Sequence, residues 1–239
     1  SIVGGGGADS ISAGDGNNTV QTTGGSDTIT SGIGNDTITA AGAGNVINAG
    51  DGINTVTGGA GADTITTGAG DDSINGTNGA DSINGGAGNN TIQTGAAGTV
   101  VVTGTGNDSI TGGAGADTIT SGGGGHDSIT SGGGADTFVF ASGQAPITGG
   151  IQGATIAGWA FGDHLDLGVT VTAGTYAEVG AAATFAAGKT AAEALFVTGS
   201  NVVSVYVNAA DTVVYIDTNG DHVTDDAILL VGKDLSTID

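Results

Sequence analysis

From Gly4 to Val139 one large apolar residue returns every nine positions, and almost everything around it is small or polar. The first unit reads Gly4-Gly5-Gly6-Gly7-Ala8-Asp9-Ser10-Ile11-Ser12, and the units that start at Gly58, Gly85 and Gly112 keep its form. Fifteen units follow one another, with one extra residue in the fourteenth, around Gly125 and His126. The eighth position is apolar throughout: Ile11, Val20, Ile29, Ile38, Ile47, Val56, Ile65, Ile74, Ile83, Ile92, Val101, Ile110, Ile119, Ile129 and Phe138. A lone β-branched residue flanked by Ser, Thr or Asn reads as a very short strand that buries one side chain, and the glycines ahead of it suit turns that need positive φ. One such unit buries too little to fold alone. Stacked units bury a continuous column of Ile and Val, so the pattern predicts a two-sheet parallel solenoid with two units, about eighteen residues, per coil.

Composition narrows the chemistry. The 239 residues include 51 Gly but only one Pro, with no Gly-X-Y period, which excludes collagen. Against 24 acidic residues stand two cations, Lys189 and Lys233, for a formal charge of −22. Such a chain repels nucleic acid and anionic membrane surfaces, and its natural counter-ions are metal cations. No apolar run approaches the length of about 18 residues that a membrane-spanning helix needs, and no signal peptide is seen at the start. With no Cys, the fold is built without disulfides. Ser1-Ile2-Val3 fits positions seven to nine of a preceding unit, and there is no Met anywhere, so the chain reads as a piece of a longer array.

The sixth position carries the candidate chemistry. It is Asp in ten units (Asp9, Asp27, Asp36, Asp63, Asp72, Asp81, Asp108, Asp117, Asp127 and Asp136), Asn in four (Asn18, Asn45, Asn54 and Asn90) and Thr in one (Thr99). Stacking places these acids one above another along each edge, where a ladder of carboxylates repels itself unless cations sit in it. Hard oxygen donors from carboxylates and turn carbonyls, without His or Cys, favour calcium over zinc or copper. The alternative is that Asp and Asn are there only as turn formers.

These units resemble the RTX nonapeptide family, whose pattern is Gly-Gly-x-Gly-x-Asp-x-U-x with U a large aliphatic residue. The resemblance implies an all-β fold: a right-handed parallel β-roll over residues 1–140, two nonapeptides per coil, followed over 141–239 by a β-rich C-terminal capping and secretion region. It also implies multiple Ca2+ sites, each sandwiched between the turns of units i and i+2 by carbonyls and sixth-position carboxylates. Carried onto this chain, the complete same-side pairs are Asp9 with Asp27, Asp63 with Asp81, Asp117 with Asp136, and Asp108 with Asp127. Where Asn alternates with Asp, at Asn18, Asp36, Asn54, Asp72 and Asn90, weaker sites are expected, because Asn offers a neutral oxygen. Thr99 marks an altered or empty site.

After Phe138 the period stops, and Ala141 to Gly150, holding the single Pro, reads as a junction. Trp159 to Leu167 resembles the segment that closes the open end of such coils, a physical need because an unpaired end exposes apolar side chains and strand edges. Asp163 and Asp166 are candidates for one more calcium or for a solvated turn. Thr190 to Val197 suits a short helix, and Val202 to Val207, Thr212 to Asp217 and Ala227 to Val231 read as strands. Between the last two, Asp217, Asn219, Asp221 and Asp225 place oxygens at alternating positions, as in a calcium-tied hairpin or a plain acidic turn. Leu235 to Asp239 is where the resemblance places an uncleaved type I secretion signal.

No catalytic grouping is evident. His126, His164 and His222 lie far apart, each beside an Asp in a turn-like setting, and with no Arg, phosphate chemistry has little support. The reading is therefore not an enzyme but a calcium-binding structural module of a secreted cell-surface protein, an S-layer protein or adhesin of a Gram-negative bacterium. Type I secretion machinery would be its partner in export, and other copies its partners in a surface lattice. Calcium is too scarce in the cytosol to fill modest sites, so folding would follow export. One alternative is the folding and secretion tail of an enzyme, such as a protease or lipase, whose catalytic domain lies upstream. Another is an ice-binding adhesin domain, suggested by Thr-x-Thr pairs such as Thr28/Thr30 and Thr64/Thr66 but broken on that side by Val46/Asn48 and Val100/Val102.

Overall fold

The computed structural model describes residues 1–140, 153–167, 176–182, 189, 192–193, 202–207, 211–217, 221 and 223–232. Nearly every unit contributes one three-residue strand whose middle side chain is buried and whose flanking ones face out, as in Thr37–Thr39 and Ser82–Asn84. Alternation of Cβ direction along a strand makes this the smallest piece of sheet that can bury anything. Successive strands go to opposite sheets, and like strands stack parallel, with Ile47 beside Ile65 and Ile65 beside Ile83. The eighteen-residue coil and the two-sheet all-β solenoid expected from the period are therefore what forms.

The column of Ile and Val fills the space between the sheets, with Ile29, Ile38, Ile65 and Ile129 fully buried. The extra residue of the fourteenth unit is absorbed in its turn, where Gly124 has φ +79°, so that Ile110 still pairs with Ile129 and Ile119 with Phe138. Glycine is needed where turns of adjacent coils touch. Gly86 has φ +66°, and a Cβ there would lie 1.9 Å from Gly68 O.

The stack continues past the last regular unit. Ala154–Ala157 pairs in parallel with Asp127–Thr130, and His164–Asp166 pairs in parallel with Thr137–Val139. His164 is thus in a strand rather than in the turn expected of it, its N–H donated to Asp136 O at 2.6 Å. Trp159 stacks on Phe138 with ring centroids 5.6 Å apart, extending the apolar column. Asp226–Val231 then adds to Ala154–Ala157 in parallel and makes an antiparallel hairpin with Asp211–Ile216. Val202–Val207 and Tyr176–Ala182 complete this sheet. Among the described residues one sheet has thirteen strands and the other nine. Of the helix expected over Thr190–Val197, Ala192 and Glu193 are helical, and Lys189 pairs with Glu193. The rest of that segment, the junction around Pro146 and the C-terminal Leu235–Asp239 lie outside the described residues.

Candidate metal sites at the turns

Each sixth-position residue closes a turn and opens a strand. Its carbonyl joins the sheet, as when Asp63 O accepts the Ser82 N–H at 2.8 Å. Except at Asp127, whose N–H donates to Gly153 O at 3.2 Å, its N–H is left without a backbone partner, and along most of each edge the side chain one coil on accepts it. Along one edge Asp9 N–H donates to Asp27 Oδ1 (2.9 Å), Asp27 N–H to Asn45 Oδ1 (3.0 Å), Asn45 N–H to Asp63 Oδ1 (2.6 Å) and Asp63 N–H to Asp81 Oδ1 (2.9 Å). After a break at Thr99 the series resumes from Thr99 N–H through Asp117 and Asp136 to Asp163 Oδ1. Along the other edge it runs unbroken from Asn18 through Asp36, Asn54, Asp72, Asn90 and Asp108 to Asp127. All four expected Asp pairs are adjacent rungs of these ladders.

The second carboxylate oxygen is the telling one. Asp27, Asp36, Asp63, Asp72, Asp81, Asp108 and Asp136 are all at most 2% exposed, and in each of them Oδ2 is buried with no hydrogen-bond partner. Asp9 Oδ2 is in the same state, whereas Asp117 Oδ2 accepts the Gly113 N–H at 3.1 Å. A buried acceptor left unmatched once is a defect; repeated on successive coils it marks a missing positive partner. Neighbouring carboxylates sit one strand spacing apart, about 4.8 Å, where like charges repel by roughly 3 kcal/mol at an effective dielectric of about 20.

Burial pushes these acids toward their neutral form. It raises Asp63, Asp127 and Asp136 to about 6, with the charges of Asp81, Asp108 and Asp163 respectively adding to the effect, and it raises Asp72, Asp81, Asp108 and Asp117 as well. A carboxylate oxygen beside turn carbonyls is an all-oxygen donor set that fits calcium, which accepts six to eight such ligands in flexible geometry. Among the described residues no three His, Asp or Glu side chains gather at one point, so any ion here must draw on backbone carbonyls.

The other predicted ligands fall in different settings. Asp163 extends the ladder, and its Oδ2 also accepts the Ala160 N–H at 2.7 Å, while Asp166 faces outward from its strand. The two are not brought together on one ion by these contacts. In the hairpin, Asp217 is buried, Asp221 is exposed with Oδ1 accepting the Val223 N–H, and the Asp225 N–H donates to Ile216 O. Asn219 and His222 lie outside the described residues.

Two sets of residues escaped the sequence reading. First-position hydroxyls are buried beside the sixth-position acids, and those of Thr22, Ser31, Ser121 and Ser131 have no partner. They add neutral oxygens to the same turns, and their signal was the replacement of the opening glycine by Ser or Thr. On the outer rim of one edge, Asp15 Oδ1 accepts the Ile33 N–H, Asp51 Oδ1 the Ala69 N–H and Asp71 Oδ1 the Asn89 N–H. This exposed second ladder supports the turns from outside.

The model of the RTX calcium-binding nonapeptide repeat matches this chain over residues 3–38, 39–74, 66–99, 94–124 and 121–144. No curated protein matches it.

Proposed function

Since the chain belongs to the RTX calcium-binding nonapeptide repeat family, we propose that it is the calcium-folded structural module of a secreted cell-surface protein, an S-layer protein or adhesin. The repeats imply a calcium-binding structural module, of a kind typical of secreted extracellular proteins and not a catalytic fold. The observation that carries the reading is the run of buried, partnerless Oδ2 atoms from Asp27 to Asp136. Without a cation these carboxylates oppose folding; with one they become ligands, so the ion binds only the folded chain and stabilises it. Export in the unfolded state through type I machinery, followed by folding in calcium-rich surroundings, is the cellular use that suits such linkage.

Assembly into a lattice is supported by composition: short polar side chains on the outer faces, two cations in the whole chain and a charge of −22 that calcium must offset before copies can approach. Limited proteolysis tests the module and light scattering tests the assembly. The chelated chain, less stable but not fully unfolded, should be cut faster within residues 1–140, and millimolar calcium should protect them and raise scattering. Protection without scattering would leave the module and remove the lattice; equal cutting in both conditions would remove both.

A further inference from the structure

Three of the Asn residues do something that no Asp can. In Asn54 and Asn90, Oδ1 is fixed as the acceptor of the ladder, Asp36 N–H to Asn54 Oδ1 and Asp72 N–H to Asn90 Oδ1, so that Nδ2 must face the turn, and in Asn18, the first rung of this edge, Nδ2 faces the same way. There it donates twice: Asn18 to Gly14 O and Gly16 O, both at 2.8 Å, Asn54 to Gly50 O (3.0 Å) and Gly52 O (3.2 Å), and Asn90 to Gly86 O (3.4 Å) and Gly88 O (3.2 Å). The partners are always the carbonyls four and two residues earlier. In the Asp turns between them the corresponding carbonyls belong to Gly32 and Gly34 at Asp36, and to Gly68 and Gly70 at Asp72. Among the described residues no side chain donates to these, and the oxygen of each Asp in the place of Nδ2 has no partner.

We propose that Asn18, Asn54 and Asn90 are built-in replacements for the cation, so that this edge alternates turns closed by an amide with turns closed by calcium. The inference rests on the reading of the Asp turns as calcium sites. The first position of each unit supports it independently. All ten Asp units open on Gly, Ser or Thr, whereas Asn18, Asn45 and Asn54 belong to units that open on Ala13, Ala40 and Ala49. Every carboxylate unit thus offers an oxygen or leaves room at its first position, and three of the four Asn units fill that place with a methyl group, the unit of Asn90 keeping Gly85. Alternation also holds the carboxylates of Asp36, Asp72 and Asp108 two strand spacings apart, close to 10 Å, which is about a Debye length at 0.1 M salt. The chelated edge thereby keeps every second turn closed, ready to template the next.

The test is calcium titration calorimetry on the full chain and its variants, with thermal melting of the chelated proteins. Asn54→Asp should bind at least one more ion than the parent and melt lower when chelated; Asp72→Asn should bind at least one fewer and melt higher when chelated. Asn54→Ala, which removes the amide without adding charge, should keep the parent's ion count and lose chelated stability. If Asp72→Asn loses an ion while Asn54→Asp gains none, or Asn54→Ala loses one, the replacement idea is overturned and the Asp sites stand. If neither charge change alters the count, the reading of the Asp turns has failed and the inference falls with it.

Discussion

The backbone N–H of Asp63 donates to Oδ1 of Asp81, 2.9 Å away and eighteen residues on, while Oδ2 of Asp81 is buried without a partner. One carboxylate thus does two jobs. Its first oxygen sets the register of the turns, and its second demands a cation.

Separating the jobs is possible by substitution. Asp81→Asn keeps an oxygen for Asp63 N–H and removes the charge, so calorimetry should show fewer ions bound while the chelated chain melts higher. Asp81→Ala removes both functions and strands a buried N–H, which costs roughly 1–3 kcal/mol. Urea unfolding in saturating calcium should rank parent above Asp81→Asn above Asp81→Ala.

Acidity should act in opposite directions with and without the ion. Folding raises Asp63, Asp127 and Asp136 to about 6 from an unfolded value near 3.9, so the calcium-free coil binds more protons than the unfolded chain. That stability is fully present below about pH 4 and is lost as pH rises through 6. The chelated protein should therefore melt higher at pH 4.5 than at pH 7.5. Calcium affinity should fall as pH drops below 6, because protons then compete for the same oxygens.

Much of this was legible in the sequence because the period is rigid. Ile65 at the eighth position has to be buried if Ile47 and Ile83 stack on it, and the four Asp pairs follow from counting two units onward. What could not be read is which atom of a side chain faces where. The double donation by Asn54 depends on Oδ1 already being held by Asp36 N–H, a relation that exists only once the coils are in register. The strands Ala154–Ala157 and His164–Asp166 were missed because the segment after Phe140 breaks the count of nine, although Ile156 and Leu165 still take the inward place.

The column and the turns should differ in how they fail. Ile65→Ala opens a cavity in a fully buried position and should cost about 2–5 kcal/mol in both calcium and chelator. Gly86→Ala sets a Cβ 1.9 Å from Gly68 O at φ +66°, so backbone of two coils must move apart. Chemical denaturation should show a clear loss of stability, the reverse of the gain of about 0.4–1 kcal/mol that Gly→Ala gives at an unstrained site.

The break at Thr99 offers a gain. Thr99 turns its hydroxyl to Ala97 O at 3.3 Å, and its rung contributes no side-chain acceptor to the coil before it. Thr99→Asn should supply one for Asp81 N–H and add about 0.5–1.5 kcal/mol in chelator, measured by denaturant midpoint. An unchanged midpoint would mean that the turn around Ala97 and Gly98 holds its own shape against the ladder.

Calcium titration of the chelated chain followed by circular dichroism, with magnesium as the control, tests the central claim most directly. The account predicts a steep gain of β signal with calcium and none with magnesium, since partnerless carboxylates such as Asp63 Oδ2 must find a flexible all-oxygen ligand set. A chelated chain already showing the full β signal, and unchanged by calcium, would contradict it and reduce the acid ladder to a series of turns.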